Sequence, residues 1–264
     1  MTEIGTGYEA VILDLDGTVY RGDQLVEGTD RSVRLLRESG IDVLFLTNKT
    51  IARRTDYSEK LTRLGVPTTP EDVINSGWVT AQYVRTRYPD REAFVIGEPP
   101  LIEELRAAGI ETTTTSPGES LVVSMDREFG YEQLDLALRT LRDGGPFLAT
   151  NPDRTCPTED GAIPDAAGMI GAVEGVTGRS VDEVLGKPSA TMVETAIEEL
   201  GVAPTDCLMV GDRIETDIAM GERAGMTTAL VLSGVTDRDG IGRAGVTPDY
   251  FLESLADIEE VFAG

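Results

Sequence analysis

Histidine is absent from this chain of 264 residues. Any proton transfer or metal binding must therefore fall to carboxylates, lysine, tyrosine, cysteine or hydroxyl groups. A Ser-His-Asp triad and a histidine-liganded zinc site are both excluded. Cysteine is nearly absent as well: Cys156 and Cys207 stand far apart, show no metal-type spacing, and are too few to staple a chain of this length. A reducing, cytoplasmic location is expected from that usage. Lysine occurs only as Lys49, Lys60 and Lys187, and arginine supplies every other base. No apolar run is long enough to span a bilayer, and Met1 to Gly7 lack the basic region and apolar core of a signal peptide, so a soluble protein is expected.

Acids dominate what is present. Forty-seven Asp and Glu face 23 Lys and Arg, for a net charge of -24. Such a charge opposes sequence-independent binding to nucleic-acid phosphates or to an anionic membrane, and neither partner is expected. An acid-rich, lysine-poor surface is similar to that of proteins from salt-loving organisms, where dissolved ions screen the self-repulsion. Disorder is countered by a 40% hydrophobic content arranged in periodic blocks. The length suits one large or two modest domains, and the sequence allows a homo-oligomer.

The chain is organised around Glu9 to Tyr20, in which Val11 to Leu13 form an apolar strand running into Asp14, Asp16 and Gly17. Reactive groups in open α/β sheets sit just beyond the carboxyl ends of strands, so both acids are placed where a ligand binds. Oxygen ligands two residues apart suit a hard cation such as Mg2+. The same run also reads as a strand followed by an ordinary Asp-Gly turn.

Alternating units follow. A helix is expected over Asp30 to Ser39, a strand over Ile41 to Leu46 ending in Thr47 and Asn48, and a helix over Ile51 to Leu64. Short strand-helix repeats of this kind point to a right-handed parallel α/β sheet. A second unit opens near Asp72, with helices around Ser76 to Arg87, Leu101 to Ala108, Tyr131 to Arg142 and Ala166 to Thr177. Its strands are expected at Ala93 to Ile96, Leu121 to Met125 and Phe147 to Thr150, with Arg154 to Pro164 a polar, turn-rich segment. Strong signals return at Gly186-Lys187-Pro188, a helix over Ser189 to Leu200, a strand over Cys207 to Val210 and a helix reaching Ala224. A strand at Thr228 to Leu232, an edge strand near Pro248 to Phe251 and a helix over Leu255 to Phe262 close the chain.

Four strand ends thus carry complementary groups: Asp14 with Asp16, Thr47 with Asn48, Lys187, and Asp212 with Asp217. Singly each has a plain reading, as a helix cap, a solvated lysine or acids near a helix N-terminus. Together, acids so close require a cation to hold them. A lysine and hydroxyl and amide donors beside that cation describe a cradle for a phosphoryl group. A carboxylate can attack phosphorus and split the hydrolysis into two easier steps. Lys187 stands out in a chain that otherwise uses arginine, because a compact ammonium reaches what a planar guanidinium cannot. Lys49 shares that argument, whereas Lys60 reads as a helix-surface lysine.

The series Asp14-Leu15-Asp16-Gly17-Thr18-Val19-Tyr20, Leu46-Thr47-Asn48, Gly186-Lys187-Pro188 and Gly211-Asp212 to Asp217 resembles, in order, the motifs of the haloacid dehalogenase superfamily of phosphatases. The chain looks most like the NagD-like branch, which includes para-nitrophenyl and phosphoglycolate phosphatases. Gly97 to Leu101, Ala149 to Asp153 and Thr177 to Arg179 fit that branch too.

The resemblance implies a Rossmann-like core from residues 1–76 and 180–264, with a smaller α/β cap inserted at 77–179 whose closure excludes water. It implies Asp14 as nucleophile and Asp16 as the acid that protonates the leaving oxygen and then activates water. Asp14, the Asp16 carbonyl, Asp212 and Asp217 would hold Mg2+, with Asp217 acting directly or through water. Thr47 and Asn48 would bind phosphoryl oxygens, Lys187 would neutralise their charge, and Asn151 and Asp153 would face the leaving group from the cap. The expected substrate is a small phosphate monoester. Two departures stand out: Lys49 replaces a second Asn, and Asp165-Ala166-Ala167-Gly168 replaces a Gly-x-Gly pair. Rival readings are a phosphotransferase or mutase on the same scaffold, and a non-catalytic phosphate sensor. A dehalogenase is disfavoured because the acid cluster makes sense only around a cation.

Overall fold

The computed structural model describes residues 7–158, 161–236 and 246–262. Among these the chain divides into two compact units, one drawn from Met1–Thr47, Arg54–Ile74 and Met192–Gly264, the other from Asn48–Arg53 and Asn75–Thr191. Both are α/β, as expected.

The first unit is built on a six-stranded sheet in the order Tyr250–Leu252, Thr227–Val231, Cys207–Gly211, Ala10–Asp14, Asp42–Thr47, Val73–Asn75. Ala10–Asp14 lies near its middle and is buried at every residue. It pairs in parallel with Cys207–Gly211 on one side and Asp42–Thr47 on the other, Leu13 opposite Val210 and Asp14 opposite Leu46. A strand covered on both faces has no polar side to show, which is why Ala10 to Leu13 read as an unbroken apolar run. Parallel register brings the carboxyl ends of these strands to the same edge, so Asp14, Thr47 and Gly211 end level with one another.

After Cys207–Gly211 the chain makes five residues of π-helix, Ile214–Ile218, before the α-helix Ala219–Ala224. Ile218 N–H bonds the Arg213 carbonyl at 3.3 Å, the wide-turn bond, while Asp217 N–H bonds the same oxygen at 3.0 Å. A helix was expected only after Asp217, up to Ala224; the wider turn lets Ile214 and Ile218 both pack on Leu230.

The second unit carries a five-stranded sheet in the order Glu183–Val184, Phe147–Ala149, Ser120–Val123, Ala93–Ile96, Thr112–Thr113, every pairing parallel. Phe94, Leu121 and Phe147 from this sheet meet Ala137 and Leu141 of helix Tyr131–Leu141. Ala166, Ile170 and Val173 of helix Ala166–Thr177 complete that core. Each buried Phe contributes roughly 2 to 3 kcal/mol. The helix forms despite Gly168, Gly171 and Gly175 because Ala166, Ile170 and Val173 fall on one stripe. The turn-rich segment after Arg154 is in fact an antiparallel pair, Thr155–Thr158 with Gly161–Pro164.

Both cysteines are buried, and neither is in a disulfide. Burial raises the Cys207 thiol to about 11, with Asp206 and Glu9 adding to the effect. Among the described residues no helix is long and apolar enough to cross a membrane.

Candidate active site

Three carboxylates converge at the carboxyl edge of the six-stranded sheet. Asp14 ends the strand Ala10–Asp14, Asp212 follows Cys207–Gly211, and Asp217 sits on the π-helical turn. They are 7%, 1% and 1% exposed, so none is a solvated surface acid. One oxygen from each lies within 4.8 Å of the others, the one such group of metal-competent side chains among the described residues.

Backbone donors fix two of the three. Val235 N–H donates to Asp212 Oδ2 at 2.6 Å, and Arg213 N–H donates to Asp217 Oδ2 at 3.0 Å. The Thr216 hydroxyl reaches Asp217 Oδ1 at 3.3 Å. Hard oxygen donors, buried and crowded, are the donor set that Mg2+ takes. The chemistry of the residues present therefore fits the ion.

Asp212 is gripped from two loops, of which the one at Ser233 and Gly234 carried no expectation from the sequence. A Cβ on Gly17 or on Gly234 would land on the Asp212 carboxylate, and Gly17 holds φ +95, which a side chain would also oppose. The Ser233 hydroxyl donates to the Gly17 carbonyl at 2.7 Å, and Arg21 Nε donates to the Ser233 carbonyl at 2.5 Å, tying the loops together. The Ser233-Gly234 pair directly after a strand was the available signal. Gly234→Ala is expected to lower unfolding free energy by about 1 to 3 kcal/mol, the usual cost of forcing a methyl into packed space. Thermal unfolding checks this, and an unchanged midpoint would show that Asp212 yields freely.

Asp16 is half-buried and stands apart from the carboxylate trio. The Tyr20 hydroxyl lies 3.4 Å from Asp16 Oδ2. Tyr20 is 1% exposed, and burial, then the charge of Asp16, hold its phenol well above the usual tyrosine range. Lys60, expected to be a helix-surface lysine, covers the Tyr20 ring with its ammonium 3.8 Å from the centroid and pairs with Asp23 at 3.6 Å. The reason is tertiary: helix Arg54–Arg63 turns that position onto the loop after Asp16.

Thr47 closes the strand Asp42–Thr47 and is 2% exposed. Within the second unit, Asn48 and Lys187 are joined directly. Lys187 N–H donates to Asn48 Oδ1 at 2.7 Å, and Asn48 Nδ2 donates to the Lys187 carbonyl at 3.1 Å and to Asp153 Oδ2 at 2.9 Å. Asn151 donates to Asp153 Oδ2 at 3.1 Å. The unit thus brings Asn48, Asn151, Asp153 and Lys187 together, and the other unit brings together Asp14, Asp212 and Asp217.

Comparison with known proteins follows the same lines. A family model described as haloacid dehalogenase-like hydrolase matches residues 11–111, and one described as HAD-hydrolase-like matches residues 184–258. Sugar-phosphatase AraL of Bacillus subtilis (strain 168) is 39% identical over 253 residues, covering 95% of this chain and 92% of AraL. The 5'-nucleotidase YutF of the same organism is 35% identical over 254 residues, 95% of this chain and 97% of YutF. A solved p-nitrophenyl phosphatase from Archaeoglobus fulgidus superposes with a TM-score of 0.91 at 36% identity, covering 96% of this chain and 99% of that one. NagD from the E. coli K-12 strain gives 0.85 at 29% identity, with 95% and 98% covered. On these matches the chain belongs to the haloacid dehalogenase-like hydrolases, among their phosphatases of the NagD and p-nitrophenyl phosphatase type.

Proposed function

We propose that the chain hydrolyses small phosphate monoesters with Mg2+, through an aspartyl-phosphate on Asp14, and that sugar phosphates are its substrate class. The buried trio Asp14, Asp212 and Asp217 carries this reading, since three acids so close are arranged for a cation. The substrate class follows AraL, the relative at 39% identity. Residues 1–76 and 180–264 are assigned as the catalytic core and residues 77–179 as the inserted α/β cap.

An Asp14 oxygen attacks phosphorus, and the bond from phosphorus to the ester oxygen breaks. Asp16 gives its proton to that oxygen, and the alcohol leaves. Asp16, now ionised, takes a proton from water as the water oxygen attacks phosphorus. The bond to Asp14 breaks, inorganic phosphate is released, and Asp16 is protonated for the next turnover. Thr47 binds phosphoryl oxygens through its hydroxyl and Asn48 through its main chain, while Lys187 neutralises the charge gathering on them. Asp14, the Asp16 carbonyl, Asp212 and Asp217 would hold Mg2+, which supplies charge neutralisation for the phosphoryl oxygens.

The test is phosphate release from p-nitrophenyl phosphate and a panel of sugar phosphates, with Mg2+ and high KCl. Turnover with phosphate passed only to water is expected. Label appearing on another acceptor would make the protein a phosphotransferase or mutase, and absence of turnover on every ester would leave a phosphate-binding module.

A further inference from the structure

Asn48 is 8% exposed, and both its amide donors are engaged inside the second unit. A primary amide has two N–H donors, and both are taken, one by the Lys187 carbonyl at 3.1 Å and one by Asp153 Oδ2 at 2.9 Å. Its oxygen accepts from Lys187 N–H at 2.7 Å. The orientation is fixed by these partners, because flipping the amide would set donor against donor at Lys187 N–H and acceptor against acceptor at Asp153. Asn48 therefore closes both main-chain polar groups of Lys187, as a neighbouring strand would.

Behind it stands a chain of polar groups that starts at half-buried Asp153 and runs inward. Asp153 Oδ2 also accepts from Asn151 Nδ2 at 3.1 Å, and Asn151 Nδ2 reaches Asp165 Oδ1 at 3.2 Å. The Thr150 hydroxyl donates to Asn151 Oδ1 at 2.7 Å, and Asp165 caps helix Ala166–Thr177 by accepting from Ala166 N–H at 2.6 Å. Asn151, Asp165 and Lys187 are 2%, 6% and 2% exposed. Connected polar networks of this kind rigidify what they hold. Asp165, an acid where the resemblance leads one to expect glycine, supplies the far anchor.

We propose that Asn48 and Asp153 are positioning residues for Lys187, with Asn151 and Asp165 holding Asp153 in place. Asn48 then works through the lysine rather than by giving its side chain to the phosphoryl group, and Asp153 works through Asn48 rather than on the leaving group. The catalytic consequence rests on the reading of Lys187 as the group that neutralises phosphoryl charge; the coupling of Asp153 to the lysine backbone does not.

Only three lysines occur in the chain, so the full-length protein labelled with 15N-lysine gives three amide signals, from Lys49, Lys60 and Lys187. Lys49→Arg and Lys60→Arg variants identify the Lys187 signal by elimination. Asn48→Ala and Asp153→Ala are each expected to move that signal and speed its exchange with deuterium about tenfold or more, with the Lys60 signal unmoved. The kcat for p-nitrophenyl phosphate is expected to fall about ten- to hundredfold in each, the cost of a misplaced group, with KM within about twofold. The double variant is expected to be no slower than Asn48→Ala alone. Asp153→Asn, which keeps an acceptor for Asn48 and the volume of the side chain, is expected to recover most of the loss. A Lys187 signal indifferent to both Asp153 variants, or kinetic losses that multiply in the double variant, would overturn the proposal. So would a rise in KM without a change in kcat. A wild-type protein without turnover whose Lys187 signal still responds to Asp153 would strike down the phosphatase reading and leave the coupling standing.

Discussion

Asp14→Asn is expected to lower Mg2+-dependent release of phosphate from p-nitrophenyl phosphate at least about a thousandfold, or about 4 kcal/mol of barrier at 1.36 kcal/mol per tenfold. The substitution is nearly isosteric, and Asp14 closes a strand whose other four residues are fully buried hydrophobics, so the fold has no reason to change. What is lost is the charge that makes the oxygen a nucleophile, together with one of three acids in the buried trio. Asp16→Asn is expected to behave differently. It removes a proton donor worth about a hundred- to ten-thousandfold. In the first step that loss falls on sugar phosphates, whose alkoxide must be protonated as it leaves, and spares p-nitrophenyl phosphate, whose phenolate leaves unaided; in the second step, where Asp16 is the base for water, both esters slow alike. Single-turnover rates of alcohol release from both ester types therefore decide the acid role. Retention of wild-type rate by Asp14→Asn would remove it as nucleophile, and equal losses in alcohol release from both esters for Asp16→Asn would deny it the acid role.

The architecture was legible in the sequence where burial leaves a mark on residue type. Ala10 to Leu13, Val43 to Leu46 and Cys207 to Val210 are covered on both faces, so they appear as apolar runs ended by polar residues. The strands Thr112–Thr113 and Glu183–Val184 are two residues each and cannot carry a period, and Val73–Asn75 is pressed between Asp72 and the helix that starts at Ser76. In the pair Thr155–Thr158 and Gly161–Pro164, Pro157 and Pro164 disguise the alternation, since proline usually argues against a strand. The π-helical turn Ile214–Ile218 is too short for its period to be told from that of an α-helix.

The candidate site divides in the same way. Residue types at strand ends were readable, because only a few places in an α/β sheet tolerate a run such as Asp-x-Asp-Gly. Which atom of each side chain is already engaged was not. Asn48 was legible as a polar group after a strand; that its amide would be shared between Lys187 and Asp153, residues over a hundred positions away, is a property of the folded chain. Lys60 was legible as a helix residue, and its place over Tyr20 depends on how the helix docks. Gly17 looked like a turn and Gly234 carried no expectation, and only the position of Asp212 shows that both keep clear of its carboxylate.

Mg2+ is expected to raise the thermal midpoint of the wild-type protein by several degrees, and Asp212→Asn is expected to reverse the order of the two proteins in chelator. Three charged oxygens within 4.8 Å of one another oppose folding when no cation is present. At an effective dielectric near 20 each pair at that distance costs on the order of 3 kcal/mol. Replacing Asp212 by Asn removes two of the three pairs and keeps an oxygen to accept from Val235 N–H, so the hydrogen bond that seats it is retained. In chelator the variant should therefore unfold at a higher temperature than the wild type. With Mg2+ at about a hundred times its dissociation constant, the wild type gains roughly 2.7 kcal/mol and overtakes it, while the variant gains little. The comparison belongs in high KCl at constant ionic strength, because a chain of net charge -24 is stabilised by any salt and only a shift beyond that screening reports the site. Equal Mg2+ shifts in the two proteins would mean that the ion acts on the surface charge and not on the trio.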